Sequence, residues 1–228
     1  MYALLDNIFW HTLTGPQACH AEGHGGVRRY ARGFSPIAAF EDQAHPDFAL
    51  LAAYCDPGET IYIDGVSTPL PAGWRIDVET TMRKMVFEGT RVDDDPGLHA
   101  VPLHRGHATQ AMALAELTRP GPFGPRTIEL GDYFGVFEGG ELVAMAGERT
   151  QAGRLREISG VCTHPDFQGH GFARRLIGLL LNRHAARGET SFLHVMSGNT
   201  SARALYARLG FRDYREVVVR AVARTASA

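Results

Sequence analysis

One junction constrains this chain more than any other stretch. Val161-Cys162-Thr163-His164-Pro165-Asp166-Phe167 runs directly into Gln168-Gly169-His170-Gly171-Phe172-Ala173. The spacing predicts a strand that ends at Thr163, a turn at Pro165 and Asp166, and a glycine-punctuated loop that enters a helix. From Gly171 to Ala186 the helix reading is strong. Ala173, Leu176, Ile177, Leu180, Leu181 and His184 fall on one stripe at helical spacing, and Gly188 ends it. Glycines let backbone N–H groups approach a ligand closely. The helix start adds unpaired N–H groups and roughly half a positive charge. Such a junction is a pyrophosphate cradle, with Arg174 and Arg175 in the first helical turn as further phosphate contacts. It is not a P-loop, because Phe172 rather than lysine follows Gly171. Nor does it have the GxGxxG of a dinucleotide fold.

The residues around the junction read as alternating strands and helices. Leu98–Leu103 is a strand and Ala108–Leu117 a helix, followed by a proline-rich loop, Arg119 to Pro125, that cannot be helical. Tyr133–Phe137 and Leu142–Ala146 form a hairpin across Glu138-Gly139-Gly140-Glu141, and Leu155–Thr163 adds a third strand. After the long helix come a strand at Phe192–Met196, a helix at Thr200–Leu209 closed by Gly210, and a strand around Val217–Val219. The fold class is therefore α/β, a mixed sheet with helices packed on it.

The first part is harder to read. A helix over Pro46–Cys55 and strands at Glu59–Gly65 and Arg83–Phe87 suggest a small α+β unit. The charged turn Asp93-Asp94-Asp95-Pro96-Gly97 divides the chain, with residues 1–95 as a region of unknown role and 96–228 as the domain with the junction.

Bulk properties narrow the remaining classes. Of the 228 residues, 44% are hydrophobic and 21% charged, and the net charge is -2, which gives no overall field for nucleic acid or anionic membrane. Three scattered cysteines and no CxxC pair argue against a disulfide scaffold or zinc site. His20 and His24 have metal-like spacing, but Gly23, Gly25 and Gly26 break the helix that spacing needs, so no metal is expected. The residues Met1–Trp10 lack a signal-peptide pattern, and no apolar run approaches the roughly 20 residues of a membrane helix. A cytoplasmic protein is the expectation.

The residues around the junction resemble the GNAT N-acetyltransferases. That family's phosphate loop follows the pattern Q/R-x-x-G-x-G/A, matched from Gln168 to Ala173. Its next helix carries N-x-x-A-x-x-x-Y-x-x-x-G-F, to which Asn199, Ala202, Tyr206, Gly210 and Phe211 are close. The resemblance covers roughly residues 97–222 and is strong toward the C-terminal half of glycine N-acyltransferases. Residues 1–95 carry no such signature and are read as a region that is either unrelated or a degenerate copy of the same half-fold.

The resemblance implies a GNAT fold and acetyl-CoA as co-substrate without a metal. Val161, Cys162 and Thr163 would hold the pantetheine arm on a strand that splays from its neighbour. The loop from Gln168 through Gly169, His170, Gly171 and Phe172 to Ala173, with Arg174, would hold the pyrophosphate, and Asn199 would touch the pantetheine or adenosine side. Tyr206 would protonate the departing thiolate. A phenol near pKa ~10 and a thiol near ~8.5 are close enough for that exchange. Glu157 is the first candidate for general base, on one face with Ser159, Val161 and Thr163 by period two. Glu148 and a water chain are its rivals, and an ordinary ion pair with a nearby arginine is the alternative role for either glutamate. Cys162 is read as an inert buried thiol. Phe123, in the proline-rich loop, is a candidate for the acceptor pocket.

These expectations describe an acyltransferase that moves an acetyl group directly to the amine of a small molecule, amino acid or peptide. The competing readings are a CoA-binding module without catalysis and transfer of a longer acyl chain. Nucleic-acid and membrane partners are not expected, and a homodimer is left open.

Overall fold

The computed structural model describes residues 2–90, 92–93 and 95–225. Asp94, in the charged turn read as a boundary, lies outside the described residues. The chain opens with α1 (Ile8–Thr14) and three short strands, β1 (Ala21–Glu22), β2 (Val27–Tyr30) and β3 (Ala38–Phe40), which form a small antiparallel sheet. The single turn α2 (Phe48–Leu51) precedes β4 (Thr60–Asp64) and β5 (Trp74–Phe87). Then come β6 (Val101–Pro102), α3 (Ala108–Thr118), β7 (Tyr133–Glu138), β8 (Glu141–Ala152) and β9 (Leu155–Thr163). The last third holds α4 (Phe172–Ala186), β10 (Thr190–Met196), α5 (Thr200–Leu209) and β11 (Phe211–Arg224).

Eight strands form the main sheet in the order β4-β11-β5-β10-β9-β8-β7-β6. Only β9 and β10 run parallel; every other neighbour is antiparallel. This is the mixed sheet expected from the sequence, but the division at residue 95 does not separate two folding units. Strand β5, from the first segment, lies between β11 and β10, which both come from the second. It pairs with β11 from Phe211↔Phe87 to Arg224↔Trp74 and with β10 from Phe192↔Val86 to Met196↔Met82. Instead of forming an independent half-fold, the first 95 residues complete the sheet of the second part.

Alternation along β10 sorts the two layers. Leu193 and Val195 pack with Leu176, Ile177, Leu180 and Leu181 of α4 and Tyr206 of α5 on one face. Phe192 points the other way, into a cluster with Ile8, Phe9 and Leu13 of α1. Fully burying a leucine or isoleucine of this kind contributes about 1.5–3 kcal/mol. On the α1 side, α3 covers the far end of the sheet, where Leu114 and Ala115 meet Tyr133, Met145 and Cys162.

Two buried polar clusters tie the layers together. Lys84 on β5 is fully buried, with Nζ 2.7 Å from Asp64 Oδ2 of β4 and donating to the Leu5 carbonyl at 2.7 Å. On the other face, Glu148 of β8 accepts from Arg187 and lies 3.1 Å from His184 Nε2 of α4, whose Nδ1 is 2.7 Å from Ser191 Oγ of β10. Burial would raise the Glu148 pKa, but the hydrogen bonds from His184 and Arg187 outweigh it and hold the carboxyl at about 2.

Several elements differ from their expected bounds. The 46–55 helix shrinks to α2 and a 3-10 turn at Ala52–Tyr54, where the Asp47 side chain caps the turn through Leu50 N–H at 2.8 Å. The expected strand at 98–103 is only β6, because just Val101 and Pro102 pair with β7. Strands β5 and β11 are far longer than their apolar cores, since each includes an exposed charged stretch, Arg75–Glu79 in β5 and Arg212–Glu216 in β11.

Two outcomes test this architecture. A fragment of residues 96–228 lacks β5, leaving β10 and β11 without their shared neighbour. It is expected to aggregate, and circular dichroism should show no cooperative melt. The Glu148→Gln change is expected to cost on the order of 3 kcal/mol at pH 7. The folded pKa lies below the unfolded value of about 4.3, so this stabilisation is complete above about pH 5 and fades toward pH 2. Denaturant titrations should therefore show the gap between variant and wild type narrowing at pH 3.

Candidate active site

The site begins where β9 and β10 part. They pair at Thr190↔Leu155, Ser191↔Arg156 and Phe192↔Glu157, and no further. Beyond that point β10 stays with β5 as far as Met196↔Met82, and β9 stays with β8 as far as Ala144↔Thr163. Each strand is held on its outer edge, so the inner edges diverge. Their facing N–H and C=O groups have no strand partner there and can serve a ligand.

A bulge on β9 accompanies the divergence. The register jumps from Gly147↔Ser159 to Met145↔Cys162, which inserts one residue into β9 around Gly160, at φ 62°. The period-two reading therefore fails past Ser159. Val161 packs on the α4 side, whereas Cys162 turns to the α3 side with Tyr133 and Met145. Glu157 and Val161 do not share a face. Burial raises the Cys162 thiol to about 12, so it holds its proton, as expected of an inert buried thiol.

Beyond Thr163, a 3-10 turn at Pro165–Phe167 leads into the glycine loop. Gly169 (φ 83°) and Gly171 (φ 76°) both require left-handed backbone, and nothing lies within 4 Å of a Cβ built on either. The helix α4 starts at Phe172 with Gly171 as N-cap and without a side-chain cap. Its first N–H groups are thus open toward the loop. The Gln168 amide is the exception among the expected phosphate contacts, since it donates to Pro165 O at 3.3 Å. His170 stacks on Phe172 with Nδ1 3.1 Å from the Phe167 carbonyl oxygen, which braces the loop. Arg174 is exposed, while Arg175 is committed to Asp95 at 2.6 Å.

A cavity of about 690 Å³ runs through the gap from one face of the sheet to the other. On the α5 side it is lined by Val161, Val195, Asn199, Ala202 and Tyr206. Asn199 caps α5 by accepting from Ala202 N–H at 3.1 Å. Tyr206 packs edge-on against Phe211, and burial pushes its pKa up to about 12. The phenol therefore grips its proton more tightly than the sequence-level comparison with a thiol assumes. It suits hydrogen-bond donation to a developing thiolate better than outright transfer.

On the α1 side the lining comes from both parts of the chain: Phe9, Pro36, Ile37, Tyr62 and Met82 from the first, Pro122, Phe123, Arg149, Ser159 and His194 from the second. The proline-rich loop is docked on the first 40 residues. Arg126 N–H donates to Gly33 O at 2.7 Å, Ser35 Oγ donates to Pro122 O at 3.1 Å, and the Arg126 guanidinium lies 4.2 Å from the Phe34 ring centre. This places Phe123 in the cavity wall.

Glu157 lies beside this half of the cavity, only 1% exposed. Its Oε1 accepts from Arg149 Nη2 at 2.6 Å and lies 2.7 Å from His194 Nδ1. Its Oε2 accepts from Arg149 Nε at 3.1 Å and from the Thr150 hydroxyl at 2.6 Å and amide at 3.2 Å. Burial opposes ionisation, but the positive charge of Arg149 and these hydrogen bonds outweigh it. The carboxyl sits well below the usual carboxylate range. A carboxylate so saturated is a poor acceptor for a substrate proton, so the ion-pair alternative describes Glu157. Glu148 faces α4 instead and does not line the cavity.

The two histidines with metal-like spacing have different partners. His20 packs against Phe34, while His24 Nδ1 meets the Tyr54 hydroxyl at 2.5 Å. The sequence reaches Arg149 as one of three possible ion-pair partners, with Arg154 and Arg156, but gives no role to His194 or to residues 9–82. The available signal was His194 itself, a polar residue inside an otherwise apolar strand. The α1-side wall had none, because ordinary core residues form it.

The comparisons with known proteins agree with this geometry. Residues 133–220 match the FR47-like protein family. Over 84 residues the chain is 38% identical to the N-alpha-acetyltransferase RimI of Mycobacterium tuberculosis and 37% to a mycothiol acetyltransferase of Streptomyces bingchenggensis. Those matches cover 35% and 36% of this chain, and 51% and 27% of the two relatives, so it spans about half or less of their length. The structure of an acetyltransferase of the GNAT family from Novosphingobium aromaticivorans matches 97% of this chain and 99% of its own at 34% identity and a TM-score of 0.87. A GCN5-related N-acetyltransferase-like protein from Streptococcus suis, at 16% identity, covers 94% of this chain and 92% of its own with a TM-score of 0.62, a likeness of fold. With a relative matched along its whole length, a sheet that parts at β9 and β10 and a glycine loop joining β9 to α4, the chain belongs to the GNAT family.

Proposed function

We propose that this protein moves an acetyl group from acetyl-CoA to the primary amine of a small molecule, amino acid or peptide by direct transfer. The observation that carries the reading is the cavity between the parted strands, lined by Val161, Asn199 and Tyr206 on the α5 side and by Phe9, Phe123 and His194 on the α1 side, together with an α4 that starts without a side-chain cap. Acetyl transfer is also what the printed names of the two curated relatives state of those proteins.

In this reading the amides from Gly169 to Ala173 and the Arg174 side chain bind the pyrophosphate, and the open edges of β9 and β10 take the pantetheine at Val161 to Thr163 and Val195. Asn199 flanks that arm. The thioester carbonyl accepts from a strand N–H, which stabilises the charge that develops on its oxygen. Tyr206 donates a hydrogen bond to the sulfur as the C–S bond breaks. The amine enters from the α1 side, past Phe9 and Phe123. An acceptor cavity open on that side favours turnover over a CoA-binding module without catalysis.

Calorimetry with acetyl-CoA and a thiol-release assay across an amine panel test the reading together. Binding with turnover on at least one amine is expected; binding with none would leave a CoA module. Tyr206→Phe is expected to keep acetyl-CoA affinity and lower kcat at least ~10-fold, the scale of losing one preorganised donor. Gly171→Ala forces a Cβ into left-handed backbone, which costs about 1–2 kcal/mol. Its effect should appear as a weaker Kd for acetyl-CoA in the same calorimeter, with Tyr206-dependent chemistry intact.

A further inference from the structure

His194 stands out among the buried polar groups at this site. It lies on β10, on the α1 face, and lines the cavity. Its side chain is only 5% exposed. Nδ1 is 2.7 Å from Glu157 Oε1, a carboxylate that can only accept, so Nδ1 carries the ring proton in the neutral tautomer. Nε2 is then a bare acceptor, and it is buried without any hydrogen-bond partner. An unsatisfied buried nitrogen costs roughly 1–3 kcal/mol. The ring is held by more than this one bond: Phe9 of α1 stacks on it at 5.2 Å and 16°, and Phe192 meets it edge-on at 5.6 Å.

We propose that His194 is the general base of the transfer, with Nε2 taking the proton of the attacking amine and Glu157 acting as its positioning residue. This rests on the transferase reading above. The amine nitrogen bonds to the thioester carbon, and its proton passes to Nε2. The C–S bond breaks and its electron pair leaves on sulfur, beside the Tyr206 hydroxyl. The imidazolium then releases its proton to water and the thiolate takes one proton from water, so that amine and thioester become amide and thiol. Base and sulfur-side donor sit on opposite faces of the sheet, His194 with α1 and Tyr206 with α5, joined by the cavity between the parted strands.

The surroundings keep the ring ready. Arg149 of β8 balances Glu157 of β9, so that carboxylate stays ionised and orients Nδ1–H without claiming the proton. Lys84 of β5 is the cross-strand partner of His194, with its own charge met by Asp64 of β4. From α1 the ring receives Phe9. Burial lowers the imidazole pKa below its usual value; Glu157 pulls it back, and Lys84 and Arg149 press it down again. The imidazole is thus neutral and able to accept at neutral pH, and loses that ability only as the medium becomes acid.

The test uses the whole chain with an amine that the wild type acetylates. In His194→Asn the side-chain amide can still donate to Glu157, but no atom replaces Nε2. That variant is expected to keep its melting temperature and acetyl-CoA affinity, lose ~100-fold or more in kcat, and lose the acid limb of the wild-type pH–rate profile. In His194→Ala, added imidazole is expected to restore part of the rate. A His194→Asn enzyme with wild-type kcat and an unchanged acid limb overturns the assignment. So does a variant that loses acetyl-CoA binding together with turnover while imidazole restores nothing to His194→Ala, which would make the ring structural. A wild type that turns over no amine would remove the transferase reading itself, a separable result.

Discussion

Everything distinctive about this molecule follows from two adjacent parallel strands that cannot stay together. β9 and β10 are each zipped to an antiparallel neighbour on the outer side, β8 and β5. A one-residue bulge at Gly160 bends β9 away just beyond the point where Glu157 still pairs with Phe192. An open pair of backbone edges inside a sheet is costly unless something occupies it. That cost is the reason to read the gap as a binding feature rather than an irregularity. It also explains why the cavity crosses the sheet and why the two ends of the site are built from different faces.

The same constraint accounts for the first part of the chain. A parting between β9 and β10 is stable only if β10 has a firm partner on its far side. That partner is β5, fourteen residues long and itself locked to β11. The buried Lys84 holds β5 to β4 through Asp64 and to the 3-10 turn before α1 through the Leu5 carbonyl. α1 then covers the face on which His194 and Glu157 lie, and Phe9 closes over the imidazole. Residues before the charged turn therefore supply a structural wedge and one wall of the cavity at once.

The legible part of the site was the part made from backbone. Gly169 and Gly171 are needed for their conformation, the helix that follows has an unbroken stripe, and Tyr206 sits at a fixed spacing before Gly210; such signals are local and survive in one dimension. The order of strands from β7 to β10 was readable for the same reason. The acceptor side was not, because it is assembled by long-range pairing. Nothing in Arg83 to Phe87 announces that this strand will insert between two others from the far end of the chain. Nor does period two warn of a bulge, which is why alternation alone puts Val161 on the face of Glu157. Glu157 was noticed for the right reason, a carboxylate on the strand before the loop. Arg149 and Thr150, brought in by a second register shift in β8, fill both oxygens and make it an ion-pair partner instead of a base.

That change of role has a general physical content. A buried carboxylate ringed by donors is held ionised, which makes it weak as a base but strong as an orienting group. A buried imidazole beside it is affected in the opposite sense. Desolvation favours its neutral form, and the carboxylate settles which nitrogen keeps the proton. Reading either residue alone mistakes the function of the pair. Glu157 by itself looks like a base with no room to act, and His194 by itself looks like a histidine stranded in an apolar strand. Together with Arg149 they form a charge-balanced unit in which Nε2 of His194, a residue that lines the cavity, is buried without a hydrogen-bond partner.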